Sequence, residues 1–484
     1  MHELLDAAAG RRPDDPAVCD KAGHDSYGEL VVRSQVAADW LICAGVRPGD
    51  RVAVLLPPGR DMTALTYGVF RTGAALVPVS PQVGRLHLEW ILRDSAPALV
   101  VCHDKVSDVQ ALTAVPVVSL QDLARHGATV ADRPAPLINA GDPALLMYTS
   151  GSTTMPRAVV CPHERVRFVV DAVGSRLGYT SDDVILCRLP MSFDYGLYQL
   201  FLAAAVGAQV AFRPDLPMAA TLAAARAVRA TVLPLVPTMT AILLRIGVRD
   251  RRPTDVRLVT NTGEALSAAH ARSLRVVFPN AAIVPMYGMT ECKRITIGEP
   301  DEDLRHPDSV GRPLDGTEVL VVDSDGTPLD AGQVGEIWVK GPHVMRGYWR
   351  SASATAQRFH RPEYADRMLR SGDHGYLDSS GRLYFVGRRD DIFKRRGVRT
   401  SVTELEAAIL SVAEVVQAAV LPPGPDGELV AWIVGDITPR ALLAELTSRV
   451  EPAKVPDRFI VSGSLPLTEN GKIDKRSLRS GDLR

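Results

Sequence analysis

The chain has 484 residues, more than one hydrophobic core usually supports, so its length predicts two or three structural units. Its 55 Lys and Arg residues balance 56 Asp and Glu residues, and the formal net charge of −1 excludes a global electrostatic field for nucleic acid or an anionic membrane. The first residues contain no basic segment followed by an apolar one, and no run of about 18 apolar residues occurs, so we expect a soluble, cytoplasmic protein.

The six cysteines are scattered along the chain, without a CxxC pair or a His/Cys cluster at ligand spacing. This pattern predicts neither a zinc site nor a disulfide framework. We interpret them as buried free thiols: Cys19, Cys43, Cys102, Cys161, Cys187 and Cys292.

Short β-branched runs at 51–56, 98–102 and 231–236 predict strands, and they alternate with stretches of helical period such as 218–244. This alternation is typical of an α/β fold with largely parallel sheets that are buried on both faces. After Gly335 the pattern changes, because glycine-bounded strands at 335–341 and 381–388 predict a β-hairpin or a small barrel.

A charged segment, 389–397, follows the last of these strands, and 402–412 then has helical periodicity with Thr403 as a candidate cap. We therefore place a domain boundary between Arg388 and Asp391. The expected organisation is a domain of residues 1–388 followed by a small α+β domain of residues 389–484.

The segment from Met147 to Arg157 contains a glycine, several hydroxyl side chains and a terminal cation after an apolar run. Gly151 allows close approach of the backbone to an anion, and Arg157 supplies a planar fork of donors. The spacing differs from the P-loop pattern of nucleotide triphosphatases, because no Gly-Lys-Ser/Thr ends the segment. The composition indicates a phosphate-binding loop of another type.

Four later motifs follow this loop of residues 148–157. They are residues 287–291 (Tyr-Gly-Met-Thr-Glu), 371–373 (Ser-Gly-Asp), 387–390 (Gly-Arg-Arg-Asp) and 470–474 (Asn-Gly-Lys-Ile-Asp). Together with the loop they resemble the ordered signature of the adenylate-forming (AMP-binding) superfamily of acyl-CoA synthetases, nonribosomal peptide synthetase adenylation domains and luciferases. The resemblance covers nearly the whole chain. It implies a large N-terminal α/β domain of stacked subdomains plus a small β-barrel, and a small, mobile C-terminal domain.

The resemblance implies that the substrates include ATP and that Mg²⁺ is the metal. The loop residues expected to bind the β- and γ-phosphates are Thr149, Ser150, Gly151, Ser152 and Thr153. Arg157 would neutralise charge as pyrophosphate departs. Glu291 is the expected Mg²⁺ ligand, because a hard cation accepts a carboxylate oxygen, and Thr290 is expected at the α-phosphate or the substrate carboxylate.

The remaining nucleotide contacts also follow from the resemblance. Tyr287 would stack on adenine, with Gly263, Glu264 and Gly288 completing the nucleotide site. Asp373 would accept both ribose hydroxyls, and Arg388 would join it there.

Lys472 is the expected catalytic lysine of the first half-reaction, bridging the substrate carboxylate and the ribose ring oxygen. In relatives the C-terminal domain rotates between the two half-reactions, and Asp390 matches their hinge position. Gly397 matches the loop that then faces the pantetheine tunnel.

The phosphate loop departs from the family pattern at three positions. Thr154 and Ala158 replace glycines, and Arg157 replaces a lysine. We expect a stiffer loop and a less mobile cation, with charge retained and a reduced rate.

Five residues are candidates for selecting the acid. Asp194 lies where amino-acid-activating relatives bind the substrate ammonium group; a structural helix cap is the alternative. Lys293 and Arg294 would line the acyl pocket and bind a second anionic group or the reacting carboxylate, unless they face solvent. Tyr195 and Tyr198 would form the pocket walls.

The expected activity is ATP-dependent conversion of a small amino acid, β-amino or dicarboxylic, to an acyl-adenylate. The acyl group would then pass to the phosphopantetheine thiol of a carrier protein. We expect a free-standing enzyme because no attachment motif or condensation domain accompanies the chain. An acyl-CoA synthetase for a small aliphatic or aryl acid is the first alternative, and a catalytically silent nucleotide-binding homologue is the second.

Overall fold

A computed structural model of the protein describes most of the chain. The described residues are 1–103, 106–126, 136–149, 155–247, 250, 252–264, 266–360, 367–388, 391–395, 398–423, 428–447, 449–452, 454–468 and 470–480.

The helices are, in chain order, α1 (His2–Arg11), α2 (Tyr27–Cys43), α3 (Arg60–Arg71), α4 (Arg85–Ser95), α5 (Val106–Gln110), α6 (Leu120–His126), α7 (His163–Leu177), α8 (Asp194–Val206), α9 (Thr221–Ala227), α10 (Pro237–Gly247), α11 (Ala268–Val277), α12 (Ala352–Arg358), α13 (Val402–Leu410), α14 (Pro439–Thr447) and α15 (Lys475–Ser480). None of the described helices is long and apolar enough to span a membrane.

The strands are, in chain order, β1 (Pro16–Asp20), β2 (Gly23–Ser26), β3 (Arg51–Leu55), β4 (Ala75–Pro78), β5 (Leu99–Cys102), β6 (Val117–Ser119), β7 (Pro143–Thr149), β8 (Arg157–Pro162), β9 (Val184–Cys187), β10 (Gln209–Phe212), β11 (Val232–Leu235), β12 (Leu258–Asn261), β13 (Ala282–Tyr287), β14 (Thr296–Ile297), β15 (Arg312–Pro313), β16 (Glu318–Val322), β17 (Gly335–Lys340), β18 (Gly347–Tyr348), β19 (Phe359–His360), β20 (Met368–Leu377), β21 (Leu383–Arg388), β22 (Ile392–Arg395), β23 (Val398–Ser401), β24 (Val415–Leu421), β25 (Val430–Gly435) and β26 (Arg458–Val461).

Two large sheets form the main body of the protein. A nine-stranded sheet has the order β15-β14-β13-β12-β11-β9-β10-β1-β2, and a seven-stranded sheet has the order β18-β8-β7-β4-β3-β5-β6. Their central strands pair in parallel and are buried, as expected for β-branched runs covered by helices on both faces. The largest hydrophobic core lies between these sheets and the helices α1, α2, α3, α7 and α8.

Smaller units follow the two large sheets. The strands β16, β17, β19, β20 and β21 form a five-stranded antiparallel sheet with its own core. Near the C-terminus, the three-stranded sheet β24-β25-β26 packs with α13 and α14 around a separate core. This mixed α/β architecture, with a large N-terminal part and a small C-terminal part, agrees with the fold class predicted from the sequence.

The strands predicted at 51–56, 98–102 and 231–236 are observed as β3, β5 and β11, and those at 335–341 and 381–388 as β17 and β21. The stretch 218–244, predicted to have helical period, overlaps the strand predicted at 231–236. The structure contains both kinds of element: a short 3-10 turn and α9, then the strand β11, then α10.

Two further predictions need correction. Thr403 does not cap α13, because the helix already begins at Val402 and Ser401 occupies the capping position. Cys43 is exposed and Cys19 is half-buried, so only four of the six free thiols are buried. The residues around Cys19 and Cys43 did not allow the sequence alone to distinguish these positions from buried ones.

Candidate active site

The candidate site lies at one edge of the nine-stranded sheet. The strands β9, β11, β12 and β13 run parallel, so their carboxyl ends meet at this edge. Asp194, Thr238, Gly263 and Glu291 all follow the ends of these strands. In open α/β sheets, ligands bind in the crevice at the carboxyl ends of the strands. The fold therefore gathers motifs that are far apart in the sequence.

The phosphate loop connects β7 and β8, which pair antiparallel from Pro143 to Thr149. Thr149 lies opposite Arg157, and its hydroxyl donates to the Arg157 carbonyl over 3.3 Å. The exposed guanidinium of Arg157 lies 5.8 Å from the ring centroid of Tyr348. The other predicted loop residues lie outside the described residues: Ser150, Gly151, Ser152 and Thr153, together with Thr154.

Glu291, the predicted metal ligand, is held by two side chains from a later part of the chain. The Tyr348 hydroxyl donates to Glu291 Oε1 over 2.6 Å, and Arg358 Nη2 lies 3.9 Å from the same oxygen. The Glu291 side chain is only 9% exposed. Thr290 precedes it in the same turn and is half-buried.

The predicted nucleoside residues lie together. The Tyr287 hydroxyl donates to Asp373 Oδ2 over 2.6 Å, and Arg388 Nε lies 3.6 Å from Asp373 Oδ1. Burial raises the pKa of Asp373, and the nearby Arg388 opposes this rise. Asp373 belongs to the strand β20. The Tyr287 ring lies 5.4 Å from that of Phe385.

Two glycines make room at the site. Gly288 lies so close to the following turn that a Cβ there would meet the Lys293 carbonyl at 2.1 Å. Gly263 has a φ of +97°, which favours glycine, and a Cβ there would lie 3.3 Å from Lys472 Cε. Both positions therefore require the absence of a side chain.

Lys472 reaches this site from the C-terminal part of the chain. Its turn is closed by the Gly471 N–H, which donates to the Thr468 carbonyl, and the Thr238 hydroxyl on α10 donates to the Gly471 carbonyl. Lys472 Nζ lies 5.8 Å from the ring centroid of Phe193. Burial lowers the pKa of Lys472, and the charge of Glu264 acts in the opposite direction. Burial also raises the pKa of Glu264 to about 6.

A cavity between α7, α8 and the residues after β13 contains all five predicted acyl-pocket residues. Asp194 and Lys293 face each other there, with Oδ2 and Nζ 3.7 Å apart and side chains 4% and 1% exposed. The rest of the lining is mainly apolar. The cavity is lined by Val169, Val173, Leu177, Asp194, Tyr195, Tyr198, Gln199, Leu202, Met286, Lys293 and Arg294.

Several polar atoms that line this cavity lack hydrogen-bond partners among the described residues. Within the described part of the chain, Asp194 Oδ2, Lys293 Nζ and the Tyr198 hydroxyl are buried and have no hydrogen-bond partner. Lys293 also has a φ of +67°, an uncommon conformation for a residue with a side chain. Such conformations and unsatisfied groups cluster at ligand sites.

The structure does not support the alternatives of a helix cap for Asp194 and of solvent exposure for Lys293 and Arg294. Asp194 is the first residue of α8, but no side-chain hydrogen bond caps that helix. Lys293 and Arg294 are both buried, so they do not face solvent. The Arg294 guanidinium lies 4.8 Å from the Tyr195 ring centroid, and Lys293 Nζ lies 5.8 Å from that of Tyr198. The charge opposite Asp194 is thus supplied by Lys293, a pairing that the sequence did not predict.

Several residues that shape the site were missed from the sequence. Tyr348 and Arg358 contact Glu291 from β18 and α12, and Thr260 on β12 lies 2.5 Å from the Tyr195 hydroxyl. Cys161 on β8 is buried near Lys293: burial raises the pKa of its thiol, and the charge of Lys293 opposes this rise. None of these residues belongs to a motif, and only the pairing of strands brings them to the site.

Comparison with known proteins decides the family. The family model described as AMP-binding enzyme matches residues 5–349, and the model of the AMP-binding enzyme C-terminal domain matches residues 404–472. This chain belongs to the AMP-binding enzyme family. It is accordingly an AMP-forming ligase, and the resemblance inferred from its motifs is confirmed.

Among curated relatives, the chain is 30% identical to syringomycin synthase SyrB1 of Pseudomonas syringae pv. syringae, over 99% of this chain and 81% of SyrB1. It is 31% identical to malpibaldin synthetase of Mortierella alpina over 100% of this chain, and it spans only 9% of malpibaldin synthetase.

Among solved structures, a complex of VinN with L-aspartate is 37% identical, with a TM-score of 0.74 over 80% of this chain and 98% of VinN. ATP-bound MatB from Rhodopseudomonas palustris is 27% identical, with a TM-score of 0.87 over 99% of this chain and 98% of MatB.

Proposed function

We propose that this protein activates a small amino acid with a second carboxylate, using ATP, and transfers the acyl group to the phosphopantetheine thiol of a carrier protein. One observation supports this substrate class above others: Asp194, Lys293 and Arg294 line the same cavity, and Asp194 pairs there with Lys293. Buried charges are stable only when they are paired, so a ligand of this cavity must preserve the balance of charge.

An amino acid with two carboxylates meets this requirement. Its ammonium group pairs with Asp194, and its second carboxylate pairs with Lys293 and Arg294. The reacting carboxylate is then left for Lys472 and the nucleotide. VinN, whose structure has been solved with L-aspartate, supports this reading, because L-aspartate has these three charged groups.

The first half-reaction joins two anions and needs their repulsion reduced. An oxygen of the substrate carboxylate attacks the α-phosphorus of ATP, and the bond to the departing pyrophosphate breaks. Lys472 holds the carboxylate, Arg157 and Thr149 contact the departing phosphates, and Thr290 lies near the α-phosphate. Catalysis by positioning and electrostatics requires no protein nucleophile.

The nucleoside is held by the group around Asp373. Asp373 and Arg388 bind the ribose hydroxyls, and Tyr287, Gly263, Glu264 and Gly288 surround the adenine. The hydrogen bond from Tyr287 to Asp373 keeps the carboxylate oriented toward that space.

The residues present fit Mg²⁺ as the metal. Within the described ranges, no group of three or more His, Cys, Asp or Glu side chains could enclose a metal ion. Mg²⁺ is commonly bound through one or two carboxylates together with substrate phosphates and water, and Glu291 supplies such a carboxylate. When bound, Mg²⁺ would neutralise charge on the phosphates of ATP.

In the second half-reaction the thiol sulfur attacks the acyl carbon, a thioester bond forms, and AMP leaves with the electrons of the acyl–phosphate bond. We propose that residues 389–484 move as a unit for this step and withdraw Lys472. Asp390 is the proposed hinge and lies outside the described residues. A carrier protein is the acceptor expected for an amino acid substrate, as the similarity to a tripeptide synthetase and a nonribosomal peptide synthetase suggests.

The test is ATP–pyrophosphate exchange with a panel of acids: dicarboxylic amino acids in α- and β-forms, simple α- and β-amino acids, dicarboxylic acids without an amine, and aryl and short aliphatic acids. We expect exchange with a dicarboxylic amino acid. Asp194→Ala should lower its kcat/KM on the order of 100-fold, since losing one member of a buried charge pair costs about 2–5 kcal/mol. Lys472→Ala should abolish exchange.

Arg294→Gln should shift the preference toward amino acids without a second carboxylate. Arg305→Gln is the matched control, because Arg305 is 64% exposed and pairs with Glu299 away from the cavity. Exchange with an aryl or aliphatic acid that survives Asp194→Ala would instead assign the protein to the acyl-CoA synthetases. Transfer of the activated acid to coenzyme A, and not to a carrier protein, would contradict the proposed acceptor.

A further inference from the structure

The carboxylate of Glu291 has its two oxygens in different surroundings. The Tyr348 hydroxyl, at 2.6 Å, and Arg358 Nη2, at 3.9 Å, both approach Oε1. In the part of the chain that the structure describes, no hydrogen bond reaches Oε2. The carboxylate is therefore oriented by protein contacts on one oxygen, and the other oxygen is left available.

The two groups that hold Oε1 are themselves fixed. Tyr348 pairs with Val159 of β8, and its N–H donates to Thr355 Oγ1 over 2.9 Å. Its ring also lies under the Arg157 guanidinium, at 5.8 Å. Tyr348 thus contacts both the expected metal ligand and the cation of the phosphate loop.

Arg358 lies between the two carboxylates of the site. Its guanidinium contacts Gly372, where a Cβ would meet Nη1 at 2.7 Å, and the charge of Asp373 also acts on it. Its side chain remains 33% exposed. This position is suited to holding Glu291 without enclosing it.

We propose that Tyr348 and Arg358 are positioning residues for Glu291: they occupy Oε1 so that Oε2 faces the Mg²⁺ that accompanies ATP. Hydrogen bonds to a ligating carboxylate fix its orientation, and their loss commonly lowers metal affinity or activity 10–100-fold. The inference rests on the proposed function, which assigns Glu291 to the metal, and adds two residues that no motif identifies.

The test uses Tyr348→Phe, which keeps the ring beneath Arg157 and removes only the hydroxyl, and Arg358→Gln. Binding of ATP is measured by calorimetry, without acid, over a series of Mg²⁺ concentrations. Each variant should need about 10-fold more Mg²⁺ to reach half-maximal ATP binding. Binding of AMP without metal should stay unchanged, which also shows that the variant is folded. High Mg²⁺ should restore pyrophosphate exchange.

Tyr376→Phe and Arg370→Gln are the matched controls, because these residues contact Tyr384 and Trp338 and not Glu291. An unchanged Mg²⁺ requirement in both variants would overturn the proposal, as would equal losses of AMP and ATP binding. If the wild type binds Mg²⁺ and ATP but exchanges pyrophosphate with no acid, the proposed function fails. The two positioning roles are then still decided by the binding series.

Discussion

Two charged side chains of the acyl cavity, Asp194 and Lys293, pair with each other and are the groups that the proposed substrate would contact. Asp194 and Lys293 are almost fully buried and 3.7 Å apart, so each offsets the desolvation of the other. A substrate with both charges can replace this internal pair by two external ones without leaving a charge unpaired. The pair therefore stabilises the protein, and the proposed substrate would satisfy both charges in its place.

This arrangement predicts strong coupling between the two residues. Asp194→Asn or Lys293→Met alone leaves one buried charge without a counter-charge and should lower the free energy of unfolding by about 3–5 kcal/mol. The double variant should recover most of that loss. Urea denaturation of the three variants measures the coupling. If the double variant loses the sum of the single losses, the two charges do not stabilise each other.

A second prediction concerns the alkaline limit of adenylation. In the proposed first half-reaction Lys472 holds a carboxylate only when it is protonated, so activity should fall as pH rises through its pKa, which burial lowers. Glu264 is ionised above about pH 6, and its charge raises the pKa of Lys472. Glu264→Gln removes this charge, so the alkaline limb of the pH–rate profile should move to lower pH.

Pyrophosphate exchange measured against pH checks the shift. Glu404→Gln is the matched control, because Glu404 pairs with the distant Lys454 and is 46% exposed. An alkaline limb that stays in place in Glu264→Gln would show that Glu264 does not act on Lys472.

At the scale of elements, α4 connects the two sides of the phosphate loop. Trp90 Nε1 donates to the Pro156 carbonyl over 2.9 Å, and Asp94 Oδ2 accepts a hydrogen bond from Tyr148 over 2.7 Å. Trp349 Nε1 donates to the Asp94 carbonyl over 3.1 Å. The helix therefore braces β7, β8 and β18 against each other next to Thr149 and Arg157.

This bracing predicts a specific defect in Trp90→Phe. The variant loses one hydrogen bond, worth about 1 kcal/mol, at the residue before Arg157. We expect the KM for ATP to rise about 5-fold while the KM for the acid stays constant. Trp432→Phe is the matched control, because its indole N–H has no hydrogen-bond partner in the described part of the chain. Equal rises in both KM values would indicate a general loss of structure.

The element predictions succeeded where one pattern dominated a segment. The runs at 51–56 and 98–102 are flanked by turns and became β3 and β5. The stretch 218–244 carried overlapping predictions of helix and strand, and the pairing of Val232–Leu235 with β9 and β12 agrees with the strand predicted there.

At the scale of the whole molecule, the sequence predicted candidate site residues that lie within motifs. It missed residues such as Tyr348 that reach the site only through the tertiary fold. Glu291, Asp373 and Lys472 were predicted as site residues from their local patterns, and whether they act there stays a prediction. Tyr348 lies 57 residues after Glu291, and its place beside that carboxylate depends on the pairing of β18 with β8. Such contacts follow from topology and strand register, which one sequence does not encode locally.

A residue outside the motifs, Thr238, contacts the C-terminal part of the chain next to Lys472. We expect the loss of this contact to affect the first half-reaction and not the second. The buried Thr238 hydroxyl donates to the Gly471 carbonyl, one residue before Lys472.

Thr238→Val removes this hydrogen bond and should destabilise the docked position of Lys472 by about 1 kcal/mol, so pyrophosphate exchange should fall about 5-fold. Transfer from a preformed acyl-adenylate to the thiol should not fall, because in the proposed mechanism Lys472 is withdrawn for that step. Thr240→Val is the matched control: it lies on the same helix, equally buried, with a hydroxyl that has no hydrogen-bond partner among the described residues. An equal loss in both half-reactions would mean that Thr238 stabilises α10 and not the docked position of Lys472.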